Sequence, residues 1–154
     1  MDYKDLVSGF AARYGVQDAV VEDGVCTLEI DGMNIALINN EESDMVTVYG
    51  EIGLPPPDAN GRFGGLMLQA NHLLAKAGGA ILCQNPENGA YAIFQSFPLA
   101  QMDVEALSSN VEAVVNKTES WRQIVAGYRE AEAVKPADGN DGFNSIPENG
   151  FMQV

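Results

Sequence analysis

Apolar residues keep helical spacing at the start of the chain, then fall into alternation, and return to helical spacing twice more. Tyr3, Leu6, Val7, Phe10 and Tyr14 predict a helix over residues 2–14, with Gly15 placed to stop it. A first short strand is expected near residues 19–22. The Asp23-Gly24 pair then turns the chain into 25–31, where Cys26, Leu28 and Ile30 alternate with Thr27, Glu29 and Asp31. A second Asp-Gly pair, Asp31 and Gly32, leads into 34–39, and a polar connection over 39–44 leads into 45–52. This order predicts a meander of antiparallel strands.

Three consecutive prolines, Pro55, Pro56 and Pro57, make residues 54–60 a rigid connector, because proline fits neither a ladder nor a helix interior. Beyond it Leu66, Met67, Ala70, Leu73, Leu74 and Ala77 mark a second helix within 62–77, stopped by Gly78 and Gly79. Strands follow on either side of a tight turn at 86–89, the second ending at Pro98. That strand is apolar on both faces, with Tyr91, Ile93 and Phe97 opposed to Ala92 and Phe94, so cover by helices or by another subunit is expected. Val104, Leu107, Val111, Val114, Thr118, Trp121, Val125 and Tyr128 form one seam of a long last helix that docks on the sheet. The fold class is α+β, a twisted antiparallel sheet with helices packed on it, in the order helix, three strands, helix, two strands, helix. One domain spans 1–131, and 132–154 is a tail whose polar linker precedes Phe143, Ile146, Phe151, Met152 and Val154.

Charge narrows the partners. Twenty-two acids against 8 bases give a net charge of −14, which repels phosphate backbones and excludes nucleic acid as a favoured partner. No apolar run approaches a membrane span, and the opening residues MDYKDLVSGF carry no basic leader region, so neither membrane insertion nor a secretory signal is expected. Cys26 and Cys83 lie in strand patterns and read as buried free thiols in a reducing compartment. Chemistry is sparse. His72, the one histidine, sits mid-helix among core positions without a nucleophile at fixed spacing, and with two distant cysteines it cannot build a structural zinc site. Asp58, Asn60 and Gly61 lack the regular ligand spacing and closing glutamate of a calcium loop. Gly61, Gly64 and Gly65 lack phosphate-loop spacing, and Glu41 and Glu42 read as an exposed loop pair. No enzyme, no metal and no cofactor is expected.

The assembled order resembles the Tir chaperone family, the class I chaperones of type III secretion systems. The likeness spans about residues 1–130. It is carried by Arg13, Tyr14 and Gly15 at the end of the first helix, by DGVCTLEI at 23–30, and by YGEIGL at 49–54. LMLQAN at 66–71, the hairpin over 79–99 and Trp121 complete it. The resemblance implies a cytoplasmic bacterial homodimer that uses no ATP. Such a dimer binds an extended segment near the N-terminus of a secreted effector and keeps it secretion-competent, as a virulence function.

On that footing, Tyr3, Val7, Phe10, Ile35, Leu37, Met45 and Tyr49 are expected to contact the client, from the first helix and the outward faces of the early strands. Leu66, Met67, Ala70, Leu73, Ile81 and Cys83 are expected at the dimer interface, with the pairing face of the helix left open. The tail is expected to dock its apolar residues on a groove of the dimer, in a blocking or a structural role. The alternatives are a protein-interaction or regulatory adaptor of the same fold outside secretion, and, third, an enzyme or small-ligand domain with a polar pocket at His72.

Overall fold

The computed structural model describes residues 1–16, 19–58 and 61–134, the side chains of the last three excepted. The tail, with Phe143, Ile146, Phe151 and Met152, lies outside them. Helix α1 (Tyr3–Tyr14) opens with the Asp2 carboxylate accepting the Asp5 amide at 2.9 Å and closes on Gly15 at φ 66. Strands β1 (Val21–Glu22), β2 (Val25–Ile30), β3 (Met33–Asn40) and β4 (Met45–Gly53) follow. Both Asp-Gly pairs adopt positive φ at both residues, Asp23 48 and Gly24 77, then Asp31 51 and Gly32 71. That is the mirror-image turn whose twist matches adjoining strands. Helix α2 (Arg62–Lys76), β5 (Ile81–Gln84), β6 (Tyr91–Pro98) and α3 (Val104–Val134) complete the order. The meander therefore has four strands before α2, the first only two residues long.

The six strands form one antiparallel sheet in the order β1-β2-β3-β4-β6-β5. Register decides which residues share a face. Leu37 stands opposite Cys26 and Val48, and Ile35 opposite Leu28 and Gly50, so these side chains point the same way. On that side lies the core, where Cys26, Leu28, Ile35, Leu37, Val46, Val48 and Ile93 meet Leu6, Val7 and Phe10 of α1 and Leu107, Val111 and Val114 of α3. The α3 seam is the predicted one. Its Thr118 lies against Gly50 of β4 so closely that a Cβ there would overlap the hydroxyl, so glycine is required where the helix crosses the strand. Thr118 Oγ1 donates to the Val114 carbonyl at 2.8 Å, which lets a buried hydroxyl sit in that contact.

Helix α2 is set by the proline connector: the Asp58 carboxylate reaches past it and accepts the Phe63 amide at 2.6 Å. Phe63 then stacks on Tyr91, ring centroids 5.7 Å apart, and meets Tyr128 edge-on at 5.1 Å. One turn after Met67, the Asn71 amide bonds the outer edge of β5, donating to the Leu82 carbonyl at 3.0 Å and accepting its N–H at 2.7 Å. An asparagine side chain thus stands where another strand would pair.

Candidate binding surfaces

Two stretches of apolar surface remain without cover among the described residues. The first is the sheet face opposite the helices. Register places Ala36 beside Tyr49, Ile38 beside Thr47, and Tyr49 beside Phe94. Ala36, Ile38, Met45, Tyr49 and Phe94 are all half-buried, and none of them packs against the core. A shallow groove of about 440 Å³ runs between Ile38, Tyr49, Cys83 and Phe94. Polar atoms cross it: Asn40 Nδ2 donates to Thr47 Oγ1 at 2.7 Å, and Thr47 Oγ1 lies 2.7 Å from Ser96 Oγ. Tyr49 carries the one enclosed side-chain oxygen among the described residues that makes no hydrogen bond of ordinary geometry, with the Asn85 side chain facing it. Burial above all, then Cys83 and Glu51, pushes its phenol up from the ordinary value.

The second surface is the outer side of α2 and the adjoining β5. Leu66 is 48% exposed, Leu68 73%, Leu73 66% and Ile81 46%, which is unusual for residues of this size. Leu66 and Leu73 are two turns apart on one flank of the helix, and Leu68 lies roughly 150° round on the other. In a chain of net charge −14, residues 59–86 contain no aspartate or glutamate. This surface is therefore apolar and free of carboxylates together.

The dimer candidates divide. Leu66, Leu73 and Ile81 are exposed and Cys83 is half-buried on the open sheet face, whereas Met67 is buried in the chain's own core and Ala70 packs against it. Leu68, the most exposed of the leucines, was outside the expected set. It sits off the 3–4 spacing that marks the core stripe, and that offset was the available signal.

The expected client residues divide more sharply. Met45 and Tyr49 do lie on the open face, but Tyr3, Val7, Phe10, Ile35 and Leu37 are between 0% and 4% exposed and do not present an outward face. Alternation along β3 allowed either parity. Pairing Ile35 and Leu37 with Met45 and Tyr49 put residues of opposite faces together, and the register sets Leu37 beside Val48 instead. Helix α1 spends its apolar side on the sheet. The Tyr3 hydroxyl donates to the buried Leu37 carbonyl at 2.7 Å, and burial drives its phenol well above the usual tyrosine range.

Chemistry for catalysis does not assemble here. His72 is exposed on α2, and no group of three His, Cys, Asp or Glu side chains is placed to hold a metal among the described residues. Cys26 and Cys83 are both free, and burial raises both thiols, which disfavours the reactive thiolate. No helix among the described residues is long and apolar enough to cross a membrane.

What the geometry defines is a binding protein: a sheet covered on one side, with apolar surface to spare. Comparison with known proteins makes this specific. The chain belongs to the Tir chaperone protein (CesT) family, whose sequence profile matches residues 5–122. It is 30% identical over 118 residues to the Tir chaperone of Escherichia coli O111:H-, covering 75% of this chain and 74% of that one. Its fold matches the chaperone–effector complex of HopA1 and SchA (TM-score 0.66, 22% identity, 79% of this chain and 93% of the other). It also matches the ExsC–ExsE complex (TM-score 0.69, 16% identity, 81% and 97%). The chain is a type III secretion effector chaperone, and its family works by binding and not by catalysis.

Proposed function

We propose that this chain acts as a homodimer in the bacterial cytoplasm, holding an extended segment near the N-terminus of an effector in a secretion-competent state without using ATP. The observation that carries this reading is surplus apolar surface. The helices occupy one face of the sheet, so the open face and the outer side of α2 have no cover from the described chain. Surfaces of this kind mark interaction sites on soluble proteins.

The two surfaces suit different partners. Copies that each carry −14 repel one another unless they meet where carboxylates are missing, and residues 59–86 are such a place. Leu66 and Leu73 are therefore assigned to the two-fold contact, with Ile81, which stands opposite Phe94 at the edge of the open sheet face, at its border. An interface of this class buries on the order of 1,200–2,000 Å² in total. The open face, with Ile38, Met45, Tyr49 and Phe94, is left for the client, whose apolar side chains replace the missing layer of cover. The test is the set of proteins exported through type III secretion, read by mass spectrometry of the secreted fraction, in a strain deleted for the chain and complemented with it. Export that falls on deletion and returns on complementation supports the reading; undiminished export overturns it.

A further inference from the structure

We infer that Lys117 and Arg129 of α3 are positioning residues for α2: they hold the two ends of the connection that carries it from β4 to β5, and so set the proposed two-fold face. The inference rests on the assignment of Leu66 and Leu73 to that contact and adds what fixes their helix in place.

Along its length α2 is weakly held. Of its 15 residues only Phe63 and Met67 are buried, while Leu66, Leu68 and Leu73 face solvent. Its start is weak as well. Gly61 stands at the cap without a side-chain bond, and Gly64 and Gly65 fall in the first turn, where glycine is costly to order.

The two ends are tied instead. Pro55, Pro56 and Pro57 have no N–H, so the approach to α2 offers carbonyls without amides of its own to pair them. Arg129 supplies the donor: its Nη2 bonds the Leu54 carbonyl at 2.7 Å and the Pro55 carbonyl at 3.3 Å. Tyr128, the residue before it, meets the Phe63 ring edge-on, so one turn of α3 holds both the approach and the first turn of α2. At the far end the Gly79 N–H donates to the Leu74 carbonyl at 3.1 Å, closing α2 through two glycines at φ 111 and 78. The Gly78 carbonyl of that turn accepts from Gln95 Nε2, and Lys117 Nζ donates to Gln95 Oε1 at 2.9 Å. The ammonium thereby fixes which way the Gln95 amide points, because only its oxygen can accept.

Helix α3 has the right length and the right charges. Lys117 and Arg129 are twelve residues apart, about 18 Å of helix, and the 15 residues of α2 span roughly 22 Å. Leu107, Val111, Val114 and Val125 pin α3 in the core, so its two cations keep a fixed spacing close to the length of the helix they hold. Only 8 bases face 22 acids in this chain, and α3 carries three of the 8. All three reach a carbonyl or a side-chain amide of another element, Arg122 taking the Gly32 carbonyl at 3.2 Å. Scarce cations are thus placed where connections need donors.

The test is amide hydrogen exchange on the full chain carrying Lys117→Met and Arg129→Met, which keep apolar stems and remove the donors. Exchange is read in a Leu66→Glu, Leu73→Glu background, where α2 reports the single chain. Dimer affinity is read with the leucines intact, by light scattering on dilution. Amides of 62–76 should exchange about tenfold faster while those of β3 and β4 keep their rates. The dimer should weaken about tenfold as well. Singly, Arg129→Met should loosen the start of α2 and Lys117→Met its end, and Arg129→Lys should recover most of the protection at the start. Unchanged exchange in α2 overturns the inference. So does a rise shared by β3, which would mark a general loss of stability, and so does faster exchange with an unaltered dimer. If the leucine background itself stays dimeric, the interface assignment fails, and exchange still decides the positioning role.

Discussion

Leu37 and Ile38 are neighbours on one strand, with nearly the same side chain and opposite fates. Leu37 is fully buried under the helices, while Ile38 is half-buried on the face those helices leave bare. The same contrast recurs along β4, where Val46 and Val48 are enclosed and Met45 and Tyr49 are not. A sheet with one covered face usually alternates apolar with polar, because the bare face meets water. Here Thr27, Glu29 and Asn34 follow that rule at the β2 end, and Ala36, Ile38, Tyr49 and Phe94 break it toward β6. Folding explains the covered face; the bare one is the face proposed above for the client.

The sharpest way to break this comparison is to place the same charge at both neighbours. Leu37→Asp sets a carboxylate in a core of apolar side chains and should cost on the order of 4–5 kcal/mol. That is a large share of the roughly 5–15 kcal/mol that holds a domain folded. Ile38→Asp should cost roughly 1 kcal/mol and leave the circular dichroism spectrum intact, while reducing capture of the client. Urea unfolding followed by circular dichroism separates the two. Equal midpoints would mean that the faces are wrongly assigned.

A smaller but still large effect is expected at α2. Leu66→Glu with Leu73→Glu would put four carboxylates across the proposed two-fold contact, where residues 59–86 supply none. The dimer should weaken at least about a hundredfold, near 2.7 kcal/mol, with little loss of helix because both leucines are already exposed. Light scattering at micromolar concentration reads the change. An unaltered dimer would move the interface to the open sheet face.

How much of this was legible in the sequence follows the same division. The helices, both Asp-Gly turns and the α3 seam were read from local spacing, because their causes are local: a cap, a positive φ, a 3–4 stripe. The family and its binding role followed from the order of those elements. The faces were not read correctly for β3, since alternation gives two classes of residue without saying which is inward. The answer lies in pairing Leu37 with Val48, a contact between strands. Asn71 was legible as part of LMLQAN but not as the side chain that closes β5, because its partners are backbone atoms of another element.

Asn71 itself gives the next smaller effect and tests the acid-free end of the sheet. Asn71→Ala leaves the Leu82 N–H and carbonyl without their partners in a partly buried place, at a cost of about 1–3 kcal/mol. Thermal unfolding should show the loss, and the variant should aggregate on storage through its opened edge. A stability within about 0.5 kcal/mol of the original would show that water replaces the side chain and that this edge needs no cover.

The smallest effect compares two tyrosines, one on each face. Tyr3 donates to the Leu37 carbonyl inside the core, so Tyr3→Phe should cost about 0.5–1.5 kcal/mol. Tyr49 encloses its hydroxyl with the Asn85 side chain facing it but no hydrogen bond of ordinary geometry, so Tyr49→Phe should be nearly neutral or slightly stabilising in the free protein. Both phenols are raised above the ordinary 10.0, which means the folded chain holds its phenol protons more tightly than the unfolded chain does. Their contribution is complete below pH 10 and is lost as pH rises beyond it, toward each folded value. The raised thiols of Cys26 and Cys83 have the same sign and begin their loss nearer pH 9. Stability of the double phenylalanine variant should therefore fall less steeply above pH 10 than that of the original, while the loss that begins near pH 9 persists. Urea midpoints measured across that range decide the matter. If Tyr49→Phe costs as much as Tyr3→Phe, the open face is closed by contacts of its own and is no longer the place where a client completes the sheet.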